Sequence, residues 1–489
     1  MQPDPYPSAK GLGHGTQGAL AVALAAPEAD LTLIRIDPAA PYQLQEVARY
    51  INGEPYHSSS STYRYNELTA DAKTLDQRRE TLRGQHQEIV NTFEDTPEAQ
   101  KRRAQYFADE VKLRDDQQAY EGRLERYVRL EDALKKLKGI RIVSNSLVWN
   151  EGYPLGGSSP LSQYFDRRSF GAALWFQSAG NTEGQAWSAL FRDEDGNGAM
   201  EFAPASTPLR PGKWSREINF LGWQPFGQEK TPDLPAKARI RLSMQWREAH
   251  DPSFFQQGRD LYRQPLANLH LLVLRQRDPA GKTLPADFLD VVGRFEGLPE
   301  RLDNQPNSAT YEETVEFLAD PGGRYAIQVV GQVPAGIRPP SVPSLPILQK
   351  GWELYPRIFV EAVDPASRQA GRPIFLDYAT HLGGLGVPAD SVGMITVGAA
   401  MPTGKPEPYS TSGPAVGLEL LVKPDVLMYD TLQVGGGQTA GAYGTGLATP
   451  FTAGLVGSAL SAGMGRAEVV QTIHDQEGKV FQVPRKLHP

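Results

Sequence analysis

Residues 444–464 read GTGLATPFTAGLVGSALSAGM, a glycine-flanked threonine followed by an unbroken run of small and apolar residues. Pro450 is suited to the first turn of a helix, where its missing N–H costs nothing, so the spacing predicts a helix beginning there. With no charged residue on any face, that helix belongs inside the protein. A glycine-rich approach, VGGGQTAGAYGTG (434–446), leads into it. Working outward, MITVGAA (394–400), ALWFQSAGN (173–181) and IRIVSNSLVW (140–149) are short apolar runs of the kind that fill buried strands. GHGTQGALAVALAAP (13–27) then LTLIRID (31–37) reads as helix followed by strand. Together they predict an α/β fold.

The chain has 489 residues, more than one hydrophobic core normally organises, so two or three units are expected. Its composition, 40% hydrophobic and 22% charged, is that of a globular protein. A net charge of −7 gives no general attraction to nucleic acid. No apolar run reaches the ~20 residues that span a bilayer, and the first residues lack the pattern of a signal peptide. With no cysteine, disulfides, thiolate metal sites and cysteine nucleophiles are excluded.

Two stretches interrupt the α/β pattern. After SSSST (58–62), Leu68, Leu75, Leu82 and Ile89 step by heptads, and Tyr120, Leu124, Tyr127, Leu130, Leu134 and Leu137 follow at threes and fours. Asp95 or Thr96 is placed to cap a second helix starting at Pro97. The expectation is a helical, coiled-coil-like hairpin over 63–138, its mixed charges (QRRE, EAQKRR) a solvated face. Further on, Ile240, Leu242, Met244 and Trp246 alternate with polar residues, as do Leu269, Leu271 and Val273, and Tyr325, Ile327 and Val329 after a DPGGR turn. These predict a β-sandwich over 193–333, closed by a proline-rich linker over 334–350. The α/β domain is then assembled from 1–62, 139–192 and 351–489.

The glycine loop carries neither a P-loop lysine nor a dinucleotide fingerprint, so a phosphate cradle is not expected. DEDGNG (193–198) resembles half of a calcium loop, with oxygens from Asp193, Asp195 and Asn197; the twelfth position, where a bidentate acid belongs, is Pro204. A hairpin turn explains the same residues. No cofactor is required, and calcium is the ion such a loop would take.

Five short motifs recur in one order: GHGT (13–16), SAGN (178–181), ITVGA (395–399), the pair SGP (412–414) and KPD (423–425), and GTGLATP (444–450). In this the chain resembles the subtilisin-like serine proteases. The resemblance implies a parallel sheet between helices, with His14 as the general base, Asn181 as the oxyanion donor, and Ser146 and Leu147 on the edge where a peptide substrate adds as a strand. The residues WREAHDP, LHLLVLRQRDPAGK and DPGGRYAIQVV resemble the jelly-roll sandwich found attached to secreted bacterial proteases. Family habit and the absence of cysteine favour a secreted or cell-envelope location.

Three departures from the family's pattern bear on the expected chemistry. The nucleophile position is Gly446, which has no oxygen, and Val148 replaces a glycine of the substrate edge. The family's aspartate, followed by Ser or Thr and Gly, has no match among the thirteen residues before His14, whose one acid is Asp4. The expected chemistry is peptide or protein binding without hydrolysis. The alternative is an interaction protein that uses the hairpin and sandwich, with the protease fold as scaffold.

Overall fold

The computed structural model describes residues 13–52, 59–91, 96–136, 139–154, 159–167, 173–208, 215–226, 228–249, 267–277, 290–295, 299–302, 308–332, 356–380, 383–413, 422–431, 433–434, 438–439 and 443–483. Gly156 and Gly157, Leu137 and the proline-rich 334–350 lie outside them. The chain divides into two compact units, 1–39 with 142–489, and 40–141.

In the second unit, α2 (Tyr42–Ile51) precedes the long helices α3 (Ser59–Asn91) and α4 (Pro97–Lys136). The unit therefore opens at Ala40, ahead of the composition change at 63. Thr96 caps α4 through its hydroxyl, which accepts from Ala99 N at 3.2 Å, as the Thr-Pro sequence predicts. Leu75 and Leu82 meet Leu113, with Tyr106 and Tyr120 against them. The pairs Arg123–Asp71 (2.8 Å) and Arg78–Asp116 (2.6 Å) fix α3 and α4 as antiparallel partners. Leu124 is partly exposed, and the side chains of Tyr127, Leu130 and Leu134, from the same stripe, lie outside those described.

The first unit holds a parallel sheet in the order β1 (Ile142–Asn145), β2 (Leu174–Ser178), β13 (Ile395–Ala400), β14 (Val426–Tyr429). Against it lies α7 (Thr445–Ser461), followed by α8 (Arg466–Asp475). Helix α7 begins five residues before Pro450, which sits inside it. A proline there removes the N–H that would reach the Gly446 carbonyl. The Ser146 hydroxyl donates to that carbonyl instead, at 3.2 Å, and the helix continues. Helix α1 (His14–Ala25) packs along α7 because both are built of small residues: a Cβ at Gly454 would lie 2.7 Å from Ala25 Cβ and 3.0 Å from Val22 O.

The expected strand at LTLIRID does not form. Residues 31–37 join no ladder among the described residues, and Leu31, Leu33 and Ile34 are exposed. Alternating apolar residues make a strand only where a neighbour supplies the hydrogen bonds.

The remaining strands make two antiparallel sheets, one ordered β12, β4, β10, β6, β7 and the other β3, β11, β5, β9, β8. The ranges are β3 (Ala186–Ser188), β4 (Asn219–Pro225), β5 (Ala238–Ala249), β6 (Asn268–Arg275), β7 (Asp290–Arg294), β8 (Glu300–Arg301), β9 (Ser308–Ala319), β10 (Tyr325–Gln332), β11 (Arg357–Ala362) and β12 (Gly371–Phe375). The alternating apolar residues of β5, β6 and β10 close one shared core with Trp187, Ile358 and Phe375. Strands β3, β11 and β12 thus come from outside 193–333, and residues 357–362 and 371–375, within the α/β segment expected over 351–489, belong to the sandwich and not to the parallel sheet. Pairing partners decided this, and partners distant in sequence leave no local mark. The short helix α5 (Pro160–Arg167) lies between β1 and β2, α6 (Pro365–Ala370) joins β11 to β12, and a two-residue pair, β15 (Gln433–Val434) with β16 (Gln438–Thr439), lies in the glycine-rich approach to α7. Among the described residues no helix is long and apolar enough to cross a membrane.

Candidate functional site

The start of α7 lies beside the C-terminal ends of β1 and β2, where loops of an open α/β sheet gather functional groups. Thr445 fastens it. Its N–H and its hydroxyl both donate to Asn181 Oδ1 at 3.0 Å, and the same hydroxyl accepts from Gly180 N at 3.1 Å. Ser178 donates to Thr445 O at 3.2 Å. Thr445 is therefore turned toward the end of β2, away from the side on which residue 446 faces His14. With Oδ1 engaged, the Asn181 amide Nδ2 is directed past Gly444, where a Cβ would lie 2.6 Å from it; the backbone there has φ of +125°, so position 444 demands glycine twice over.

His14, the first residue of α1, reaches the same place from the opposite side. A Cβ at Gly446 would stand 2.6 Å from His14 Nε2 and 3.7 Å from Ser146 Cβ. His14, Ser146 and position 446 therefore converge. Among the described residues no carboxylate hydrogen-bonds or ion-pairs with His14, which is exposed. The hydroxyls of Ser410 and Ser412 are engaged elsewhere: Ser410 accepts from Ala399 N at 2.9 Å, and Ser412 donates to Glu183 at 3.2 Å.

The edge segment is ordered from behind. Asn145 donates to Gln177 Oε1 at 2.6 Å, and Gln177 donates to Leu147 O at 3.0 Å. Strand β1 is at the margin of the sheet, with β2 its one partner among the described residues. Val148 is packed against the chain at Gly386, where a Cβ would come within 2.7 Å of Val148 Cγ1.

Asp430 is a site residue that the sequence did not announce. It is buried and accepts from Gly444 N at 2.7 Å and from the Tyr409 hydroxyl, so it holds the turn that leads into α7. Burial pushes its carboxyl above the ordinary range, against the pull of those hydrogen bonds. Lys423 and Asp425 of the KPD motif do structural work: the buried ammonium binds Asp425 at 2.6 Å and Met394 O at 2.8 Å.

The DEDGNG segment folds on itself. Asp195 accepts from Asn197 N at 3.1 Å, Asn197 Oδ1 from Ala199 N at 2.7 Å, and Asp193 from Gly198 N at 3.3 Å. These bonds make a turn, and no group of three or more His, Cys, Asp or Glu suited to a metal ion occurs among the described residues.

Residues 379–478, which carry β13, β14, the glycine-rich approach and α7 with Gly446, match the model of the subtilase family. Among solved structures, the Clostridium perfringens CspB protease is similar at 17% identity and a TM-score of 0.36, over 68% of this chain and 58% of that one. The chain thus spans less than two thirds of the length of that protease. No curated protein matches it. His14, Asn181 and Ser146 lie outside the matched residues, and their assignment rests on the convergence described above.

Proposed function

We propose that this chain is a protease-like protein whose groove binds an extended peptide or protein segment and does not cleave it. The observation that carries this reading is the arrangement at residue 446: His14 Nε2 faces a position that has no oxygen to activate. Acyl transfer needs a nucleophile within hydrogen-bond reach of its base. Affinity does not need one, because an extended peptide gains main-chain hydrogen bonds along the edge at Ser146–Val148.

A second reading, contact through the helical unit, is favoured by Phe107 and Val111, one turn apart on α4 and 61% and 53% exposed. One experiment separates the two. A library of unstructured peptides is titrated against the full chain, and the bound fraction is analysed by mass spectrometry. The first reading predicts that peptides bind intact and that Ser146→Trp abolishes binding. Binding unchanged in that variant but lost in Phe107→Asp/Val111→Asp would establish the second.

A further inference from the structure

The sheet containing β5, β9 and β11 has two faces, and period-2 alternation assigns them cleanly. Ile240, Leu242, Met244, Tyr311, Val315, Ile358 and Val360 look into the sandwich core. The opposite face carries Arg241, Ser243, Gln245, Glu312, Arg357 and Glu361, in register across the three strands. Such a polar face normally meets water. Here Ser243, Gln245, Glu312, Arg357 and Glu361 are all buried.

What covers them is the segment that continues the groove edge. Four consecutive residues are each held by the sheet. Arg357 donates to Asn150 O at 2.5 Å; Glu151 accepts from Arg241 at 2.7 Å and from Ser243 at 2.9 Å. Gly152 N donates to both Glu312 oxygens, at 3.2 and 3.0 Å, and Gln245 donates to Tyr153 O at 3.1 Å. On the other side, Trp149 and Val387 exchange two backbone hydrogen bonds of 2.8 Å, and Arg357 Nε donates to Gly383 O at 2.7 Å. No Cβ fits at Gly386, where it would lie 2.5 Å from Trp149 O and from Asn150 Oδ1.

Stability alone does not call for this face. Burial lowers the Arg357 pKa to about 10 and raises that of Glu312, and apolar residues of similar volume commonly serve at least as well as buried charges. What the polar face supplies is directed hydrogen bonds to a main chain that has no regular partner of its own.

We propose that Glu312 and Arg357 are positioning residues for peptide binding: from the sandwich they fix the backbone at Asn150–Gly152 and so aim the edge at Ser146–Val148. The proposal rests on the groove reading above, and its test keeps the two apart. Hydrogen exchange and peptide affinity are measured on the full chain for wild type, Glu312→Ala and Glu312→Gln. Loss of a hydrogen bond to a charged group predicts that Glu312→Ala speeds exchange over 146–152 by about tenfold or more and weakens peptide binding by about tenfold, while amides of β10 keep their protection. Glu312→Gln, which keeps an acceptor for Gly152 N, restores both. Should Glu312→Ala not fold, Glu151→Ala, at a partly exposed side chain, predicts the same local pattern. Unchanged exchange at 146–152, exchange rising equally through β10, or full peptide affinity despite a loosened edge would each overturn the proposal. A wild-type chain that binds no peptide but whose variant loosens only 146–152 would refute the groove reading and leave the clamp standing.

Discussion

At residue 446 the chain brings an imidazole up to a position without a side chain, and the surrounding residues show how little slack remains there. His14 Nε2 lies closer to that Cα than an added side chain permits, 2.6 Å from the Cβ site, so Gly446→Ser requires the imidazole to withdraw. Because His14 is exposed, it has room to do so. The variant is expected to fold, with a circular dichroism spectrum like that of wild type, and to hydrolyse peptide substrates barely above background. Among the described residues His14 has no carboxylate to hold its tautomer, and an unoriented imidazole is a poor base. Substantial hydrolysis by Gly446→Ser would reveal an orienting group elsewhere. That His14 and Asn181 gather at the start of α7 was legible in the sequence because each sits in a short frame of glycines and small residues, GHGT and SAGN; Ser146, in SNSLVW, has no such frame. Asp430 was not, since its role depends on the chain returning fourteen residues later to present Gly444 N.

Among the elements, α1 and α7 depend on each other. The close approach at Gly454 lets α1 lie along α7 and carries His14 to Gly446; Ser458 donates to Ala25 O at 2.7 Å at the far end. Gly454→Val inserts atoms where Ala25 Cβ and Val22 O already stand. It is expected to destabilise the protein by about 1–3 kcal/mol, as overpacking of a tight core does, read as a lower urea midpoint. Wild-type stability in this variant would show that the helices separate at no cost. Helix α7 could be recognised from its small residues, but its start could not. Pro450 marks a helix beginning by its local preference, whereas the true first turn is held by Asn181 and Ser146, both remote in sequence. The strand expected at 31–37 failed for a related reason: a residue pattern states which face is apolar but does not provide a partner strand.

Across the whole molecule, the sandwich is the part least readable from sequence. Its alternation was plain in β5, β6 and β10, yet β3, β11 and β12 lie outside the expected limits, because strand order is decided by tertiary pairing. The core these strands enclose contains Glu313, fully buried, with one oxygen accepting from Leu271 N at 3.1 Å and burial raising its pKa to about 7 from 4.5. A carboxyl whose folded pKa is raised binds its proton more tightly in the native state. Its contribution is therefore favourable below about pH 4.5 and is lost as pH rises through 7, with a slope approaching about 1.4 kcal/mol per pH unit inside that window. Glu313→Gln is expected to flatten the dependence of the unfolding free energy on pH between 5 and 7. An unaltered slope would show that other groups set it.

Whether the chain turns substrate over is read from the products. The chain is incubated at stoichiometric concentration with the peptide library, and the mixture is analysed by mass spectrometry for cleaved peptides and for acyl adducts on the protein. The account predicts intact peptides in the bound fraction and no adduct. Cleavage by the purified wild-type chain that disappears in His14→Ala would contradict it.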